Sequence, residues 1–223
     1  MRSPTFPCLR QVIDRLSTTD PQTANSLPSH DCPDDLQALI LELTSGDDRR
    51  AEASVRCLAG YGEPVLPAIA PMLDAPEPDN RWWAVRLLAE ISDSETPLLL
   101  IKALQDEDSS VRQCAALAIS RQGDERAVPA LIQSLSETDS LMVRLAANAL
   151  VAIGAAAVSA LLDLLRDGTP VTRFEAVRAL ALIGDPRAFF ALMGVLEEDS
   201  ALMEYWANEG LERMGAGMLY FSP

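Results

Sequence analysis

The chain has 223 residues, with 18 basic against 33 acidic side chains and a net charge of −15. A phosphate backbone is held mainly by Lys and Arg, so this balance, with no basic run, excludes nucleic acid as a partner. Hydrophobic residues make up 48% but aromatics only 5%, which calls for closely spaced helices with an Ala- and Leu-rich core rather than a sandwich.

From the N-terminus, Cys8–Leu16 puts Leu9, Val12, Ile13 and Leu16 on one face and predicts a short amphipathic helix beginning near Pro7. Residues Ser17–Pro33 are rich in Ser, Thr, Pro and Asn, the composition of an irregular linker. Helix resumes over Asp34–Thr44, with Leu36, Leu39, Ile40 and Leu43 on one stripe and Gly46 as the stop. This reads as the second helix of an incomplete leading repeat, so residues 1–46 form an N-terminal helix, linker and cap.

From Ala51 a two-helix unit recurs. Its small column reads Ser54, Ala84, Ala115, Ala146, Ala176 and Ala207, and its aliphatic column reads Leu58, Leu88, Ile119, Leu150, Leu180 and Leu211. Turns at Gly62, Ser92, Gly123, Gly154, Gly184 and Gly215 follow in step, and first helices begin 30, 31, 31, 30 and 31 residues apart. Leu73, Leu104, Leu135, Leu165 and Leu196 repeat in the second helices. Several columns in register over six copies predict an all-α superhelix, a solenoid over residues 47–215 followed by an apolar tail at 216–223. Ala in the small column lets helices approach closely, so Ala146→Glu is expected to unfold or split the array.

Four cysteines and one histidine offer little chemistry. Cys57 and Cys114 fall in first helices, Cys8 and Cys32 precede the repeats, no C-x-x-C pair exists, and His30 stands alone. Buried thiols are expected, with no metal site and no catalytic constellation. No continuous apolar run has the roughly 18 residues of a membrane span, and Met1–Pro7 lacks the apolar core of a signal peptide, so a cytoplasmic protein without membrane insertion is expected.

The unit Val111-Arg112-x-x-Ala115-Ala116-x-x-Ile119-x-x-x-Gly123-Asp124-x-x-Ala127-Val128-Pro129-x-Leu131-Ile132-x-x-Leu135 is echoed by Arg173 to Leu196, with Gly184-Asp185-Pro186 at its turn. It resembles HEAT repeats of the short, phycobilin-lyase-type class. That resemblance implies a helical solenoid and one of two roles. The first is a non-catalytic scaffold that binds another protein in a multiprotein assembly, with no cofactor. The alternative is a bilin lyase or chromophore-detaching subunit, acting on phycobiliproteins with a partner subunit and handling a bilin.

Candidate partner-binding residues stand where copies differ. On first helices one position reads Glu52, Trp82, Gln113, Arg144, Phe174 and Tyr205, well off the core stripe. Trp82, Phe174 and Tyr205, with Arg144 beside them, are candidate anchors, since interfaces favour aromatics and Arg. On second helices Lys102, Gln133 and Asp163 lie opposite the core stripe, the side expected to be concave. Tyr220 and Phe221 in the tail are candidates for covering the last helix or for inserting into a partner.

Overall fold

A computed structural model of the protein describes residues 35–197 and 200–215. The helix expected over Cys8–Leu16, the linker, and the tail with Tyr220 and Phe221 lie outside the described residues, as do Cys8, His30 and Cys32. The architecture is an all-α solenoid, with no strand among the described residues. Two compact units divide the chain, Met1–Gly60 and Tyr61–Pro223.

In the first unit, helix α1 (Leu36–Leu43) packs against α2 (Asp48–Ala59). Each begins on an aspartate, because a carboxylate satisfies amide groups left open in the first turn. Asp35 accepts from the N–H groups of Gln37 and Ala38, and Asp47 from those of Arg49 and Arg50. Leu39 and Leu43 are buried on α1, and Ala51, Val55 and Leu58 on α2, while Arg50 pairs with Glu42 across the two. Cys57 falls beside the buried stripe rather than in it. It is half-buried and disulfide-bonded, which corrects the expectation of a buried thiol there.

The second unit continues with α3 (Leu66–Ile69), α4 (Pro78–Leu88), α5 (Thr96–Ala103), α6 (Ser109–Gln122), α7 (Val128–Ser134), α8 (Ser140–Ile153), α9 (Val158–Asp167), α10 (Pro170–Ile183), α11 (Phe189–Val195) and α12 (Ala201–Arg213). Even-numbered members are the longer first helices and odd-numbered members the shorter second ones. Helix α3 is a single turn between 3₁₀ turns because Pro64, Pro67 and Pro71 each remove a backbone donor. From α4 onward, successive first helices pack side by side, and each second helix packs on the first helix that follows it.

Sequence columns become layers of the core. Ala84, Ala115, Ala146, Ala176 and Ala207 are fully buried, and Leu88, Ile119, Leu150, Leu180 and Leu211 are buried one turn further on. Without a side chain at Gly210, α12 comes so near α10 that an added Cβ would stand 2.7 Å from the Ala181 Cα.

Helix ends explain the two repeat lengths. Gly123 and Gly184 are left-handed, with φ of 68° and 67°, and the aspartate after each caps the next 3₁₀ turn through the N–H of Arg126 or Arg187. Gly154 instead takes φ 74° and ψ −130°, a backbone open only to glycine, and enters the second helix one residue sooner. The stop expected at Ser92 does not occur in step. Helix α4 ends at Leu88, and the chain leaves through single 3₁₀ turns, Glu90 N–H to Leu87 O and Ile91 N–H to Leu88 O. A serine has no inexpensive route to a left-handed cap, so this helix frays early.

One stretch, Ser140–Asp167, is long and apolar enough to cross a membrane by composition. It is the helix pair α8 and α9, folded back at Gly154, and its apolar side chains Met142, Leu145, Leu150, Val158 and Leu161 are spent on the solenoid core.

Candidate protein-binding face

In α6 the second position of the repeating frame meets the turn that opens the next repeat. This residue is Gln113, whose Nε2 donates to Asp139 Oδ2 at 2.7 Å and is buried there. Asp139 also caps α8 by accepting the N–H groups of Leu141 and Met142. Burial pushes the Asp139 carboxyl up, but the Gln113 amide, those two N–H groups and the Arg112 charge outweigh it and hold it below the ordinary carboxylate range.

Trp82, in the same column of α4, is also inward. It is 5% exposed and meets Trp83 edge to face, with centroids 4.9 Å apart and planes at 89°. This corrects its assignment as an exposed anchor. A ring that large closes over apolar neighbours rather than stay in water, so Trp82 belongs to the core.

From α8 onward the column turns outward. Arg144 is exposed, Phe174 half-buried and Tyr205 60% exposed. The structure therefore brings three of the four first-helix candidates onto one face of three adjacent helices. Sequence reasoning missed the row beside them. Leu141, Val171 and Leu202 precede Arg144, Phe174 and Tyr205 by one helical turn, and Val171 and Leu202 are 62% and 66% exposed. The available signal was a change of character within one column, from Arg49, Asp79 and Ser110 to Leu141, Val171 and Leu202.

The second-helix candidates are differently placed. Lys102 is exposed but its Nζ lies 2.6 Å from Asp74 Oδ1, and Asp163 is held 2.6 Å from Arg166. Gln133 lines an open depression of about 570 Å³ with Gln105, Ala130 and Ser136, floored by the ion pair of Arg112 and Glu137. The charges of Lys102 and Asp163 are satisfied within the chain. The first-helix face offers apolar area beside a cation, and so suits a protein surface best.

Comparison with known proteins fits this architecture. A family model described as HEAT repeats matches residues 66–152 and 144–212. The chain belongs to the HEAT-repeat family. This HEAT-repeat chain is 40% identical over 106 residues to "Phycocyanobilin lyase subunit beta" of Pseudanabaena tenuis, covering 46% of this chain and 37% of the relative. It is 36% identical over 119 residues to "Phycobilisome maturation protein" of Synechococcus elongatus, covering 52% and 56%. The matches thus span little more than half of these relatives at most. Among solved structures, the complex of CpcE and CpcF of phycocyanin lyase from Nostoc aligns with a TM-score of 0.50 at 19% identity, over 90% of this chain and 94% of that one. At that identity the likeness concerns the fold.

Proposed function

We propose that this HEAT-repeat protein is one subunit of a phycobilin lyase-type assembly, working with a partner subunit to attach or detach a bilin on a phycobiliprotein. The observation that carries the reading is the 40% identity to a protein named as a phycocyanobilin lyase subunit, and the phycobilisome maturation relative supports it. Both names favour this role over a generic scaffold. The acidic charge is in keeping with a protein partner rather than nucleic acid. In this reading the bilin is a substrate passed between proteins, the setting is cytoplasmic, and the chain contributes recognition surfaces to the assembly.

The test is reconstitution. The full chain is co-expressed with the partner subunit of the same source, apo-phycocyanin and phycocyanobilin, and covalent bilin is read by zinc fluorescence on a denaturing gel. Bilin attached to or removed from phycocyanin only when this chain is present supports the reading. Unchanged labelling with and without it sinks the reading.

A further inference from the structure

The row formed by Leu141 and Arg144 on α8, Val171 and Phe174 on α10, and Leu202 and Tyr205 on α12 differs from the same two positions of α4 and α6. Each pair is three residues apart, so its members are neighbours on one helical face. All three pairs stand at the same place relative to the glycine that follows their helix, Gly154, Gly184 or Gly215. Successive first helices pack together, so the pairs form one continuous strip. The same two positions are Asp79 with buried Trp82 in α4, and Ser110 with buried Gln113 in α6, so the strip begins only at α8.

Its cation is also singular. Among the described residues of the second unit, the other Arg and Lys side chains are engaged by a carboxylate or a carbonyl within the chain. Examples are Arg121 on Glu90, Arg178 on Glu175 and Arg173 on the Leu165 carbonyl. Arg144 has no such partner among the described residues. The cause lies in the next turn. Where Gln113 meets the capping aspartate Asp139, the capping position after Arg144 is Thr169, a neutral residue occupied with the Thr172 N–H. The fold withholds from Arg144 the carboxylate that it supplies one repeat earlier.

The geometry points to this strip as the docking face for an amphipathic helix of a partner protein, whose apolar stripe covers Val171, Leu202 and Tyr205 and whose Asp or Glu pairs with Arg144. Three helices about 8–10 Å apart make a face roughly 20 Å long, the span of a helix of about 13 residues. Charge complementarity selects the occupant. An anionic lipid surface or nucleic acid would be repelled by a chain of net charge −15, whereas a single carboxylate at the edge of an amphipathic helix's apolar stripe matches a single cation in an apolar strip. This inference rests on the reading that the chain works with a protein partner, and adds where and with what chemistry that partner docks.

The experiment places a photocrosslinking phenylalanine analogue at Tyr205, or at Gln133 as the control, in the full chain expressed in its native cells. The crosslinked peptides are then sequenced by mass spectrometry. The expected result is a link from Tyr205 to an amphipathic segment of another protein carrying Asp or Glu, at a yield about tenfold above that from Gln133. Arg144→Glu should lower this yield about tenfold, and reversing the partner carboxylate to Arg should restore it. Unchanged melting of the Arg144→Glu protein keeps a folding defect out of the comparison. A link to a second copy of this chain, no link from Tyr205, or a yield indifferent to Arg144→Glu overturns the docking face. The two readings fail separately. Partner retained through Gln133 alone removes the face and leaves the proposed function, whereas the expected link to a protein with no part in bilin handling removes the function and leaves the face.

Discussion

Arg81 and Asp106 form a two-pronged ion pair between successive repeats, with Nε 2.7 Å from Oδ2 and Nη2 2.8 Å from Oδ1. Both side chains are under a tenth exposed, at 6% and 8%. Nη1 of the same arginine donates to the carbonyls of Ala75 and Pro76, so one side chain ties the turn before α4 to the turn before α6. Removing one member leaves the other charged and buried, which costs about 3–5 kcal/mol. Arg81→Met should therefore lower the urea unfolding free energy by that amount, and adding Asp106→Leu should recover part of the loss. Full additivity of the two changes would show that the pair is not coupled.

Acid acts through such carboxylates. Burial pushes the Asp106 carboxyl up, but the Arg81 hydrogen bonds, the Asp108 N–H and the charges of Arg81 and Arg112 outweigh it, and the group titrates below its ordinary value. A folded value below the unfolded one means that the stabilisation is complete above the unfolded pKa, about 4, and is lost as pH falls through the folded value. Unfolding free energy should thus stay level from about pH 7 to 5 and fall below about pH 4. Asp106→Asn should lower the plateau and flatten the acid limb.

At Asp185 the Arg187 guanidinium, then the Arg187 backbone N–H, bring the carboxyl down to about 2. NMR titration should find that midpoint. Arg187→Ala, which keeps the N–H, should move it part of the way back to the ordinary range.

Two glycines should respond in opposite directions to the same change. A Cβ at Gly210 would stand 2.7 Å from Ala181 Cα, 2.8 Å from Leu192 Cδ1 and 2.9 Å from Ala181 Cβ. Because a backbone atom cannot step aside, Gly210→Ala should cost about 1–3 kcal/mol and lower Tm by several degrees. At Gly194, on α11, an added Cβ meets nothing within 4 Å. Gly194→Ala should stabilise by about 0.5–1 kcal/mol, through helix propensity and a less flexible unfolded chain.

The aromatic column separates core from surface in one measurement. Trp82→Ala should cost about 3–5 kcal/mol, since it empties a buried ring site. Tyr205, 60% exposed and edge to face with Trp206 at 5.4 Å, should change stability by about 0.5 kcal/mol or less when replaced by Ala. Equal losses at both positions would place Tyr205 in the core and remove it from any docking face.

What the sequence determined by itself was the repeat. A helix pair cannot bury its apolar stripe alone, so the same small and aliphatic residues must return at each copy, and their spacing alone revealed the helices, the core layers and the two repeat lengths. The early end of α4 was missed, since Ser92 stood in step with the glycine turns and the exit actually taken depends on backbone geometry. The face was harder to read, since a column averages over copies while exposure depends on what the neighbouring repeat sets opposite each side chain. Trp82, Gln113, Arg144 and Tyr205 share one column, yet the first two are buried and the last two are not. Only the tertiary structure showed that Gln113 finds Asp139 across the repeat boundary while Arg144 finds no carboxylate among the described residues. The apolar row of Leu141, Val171 and Leu202 became one surface only when α8, α10 and α12 were laid side by side.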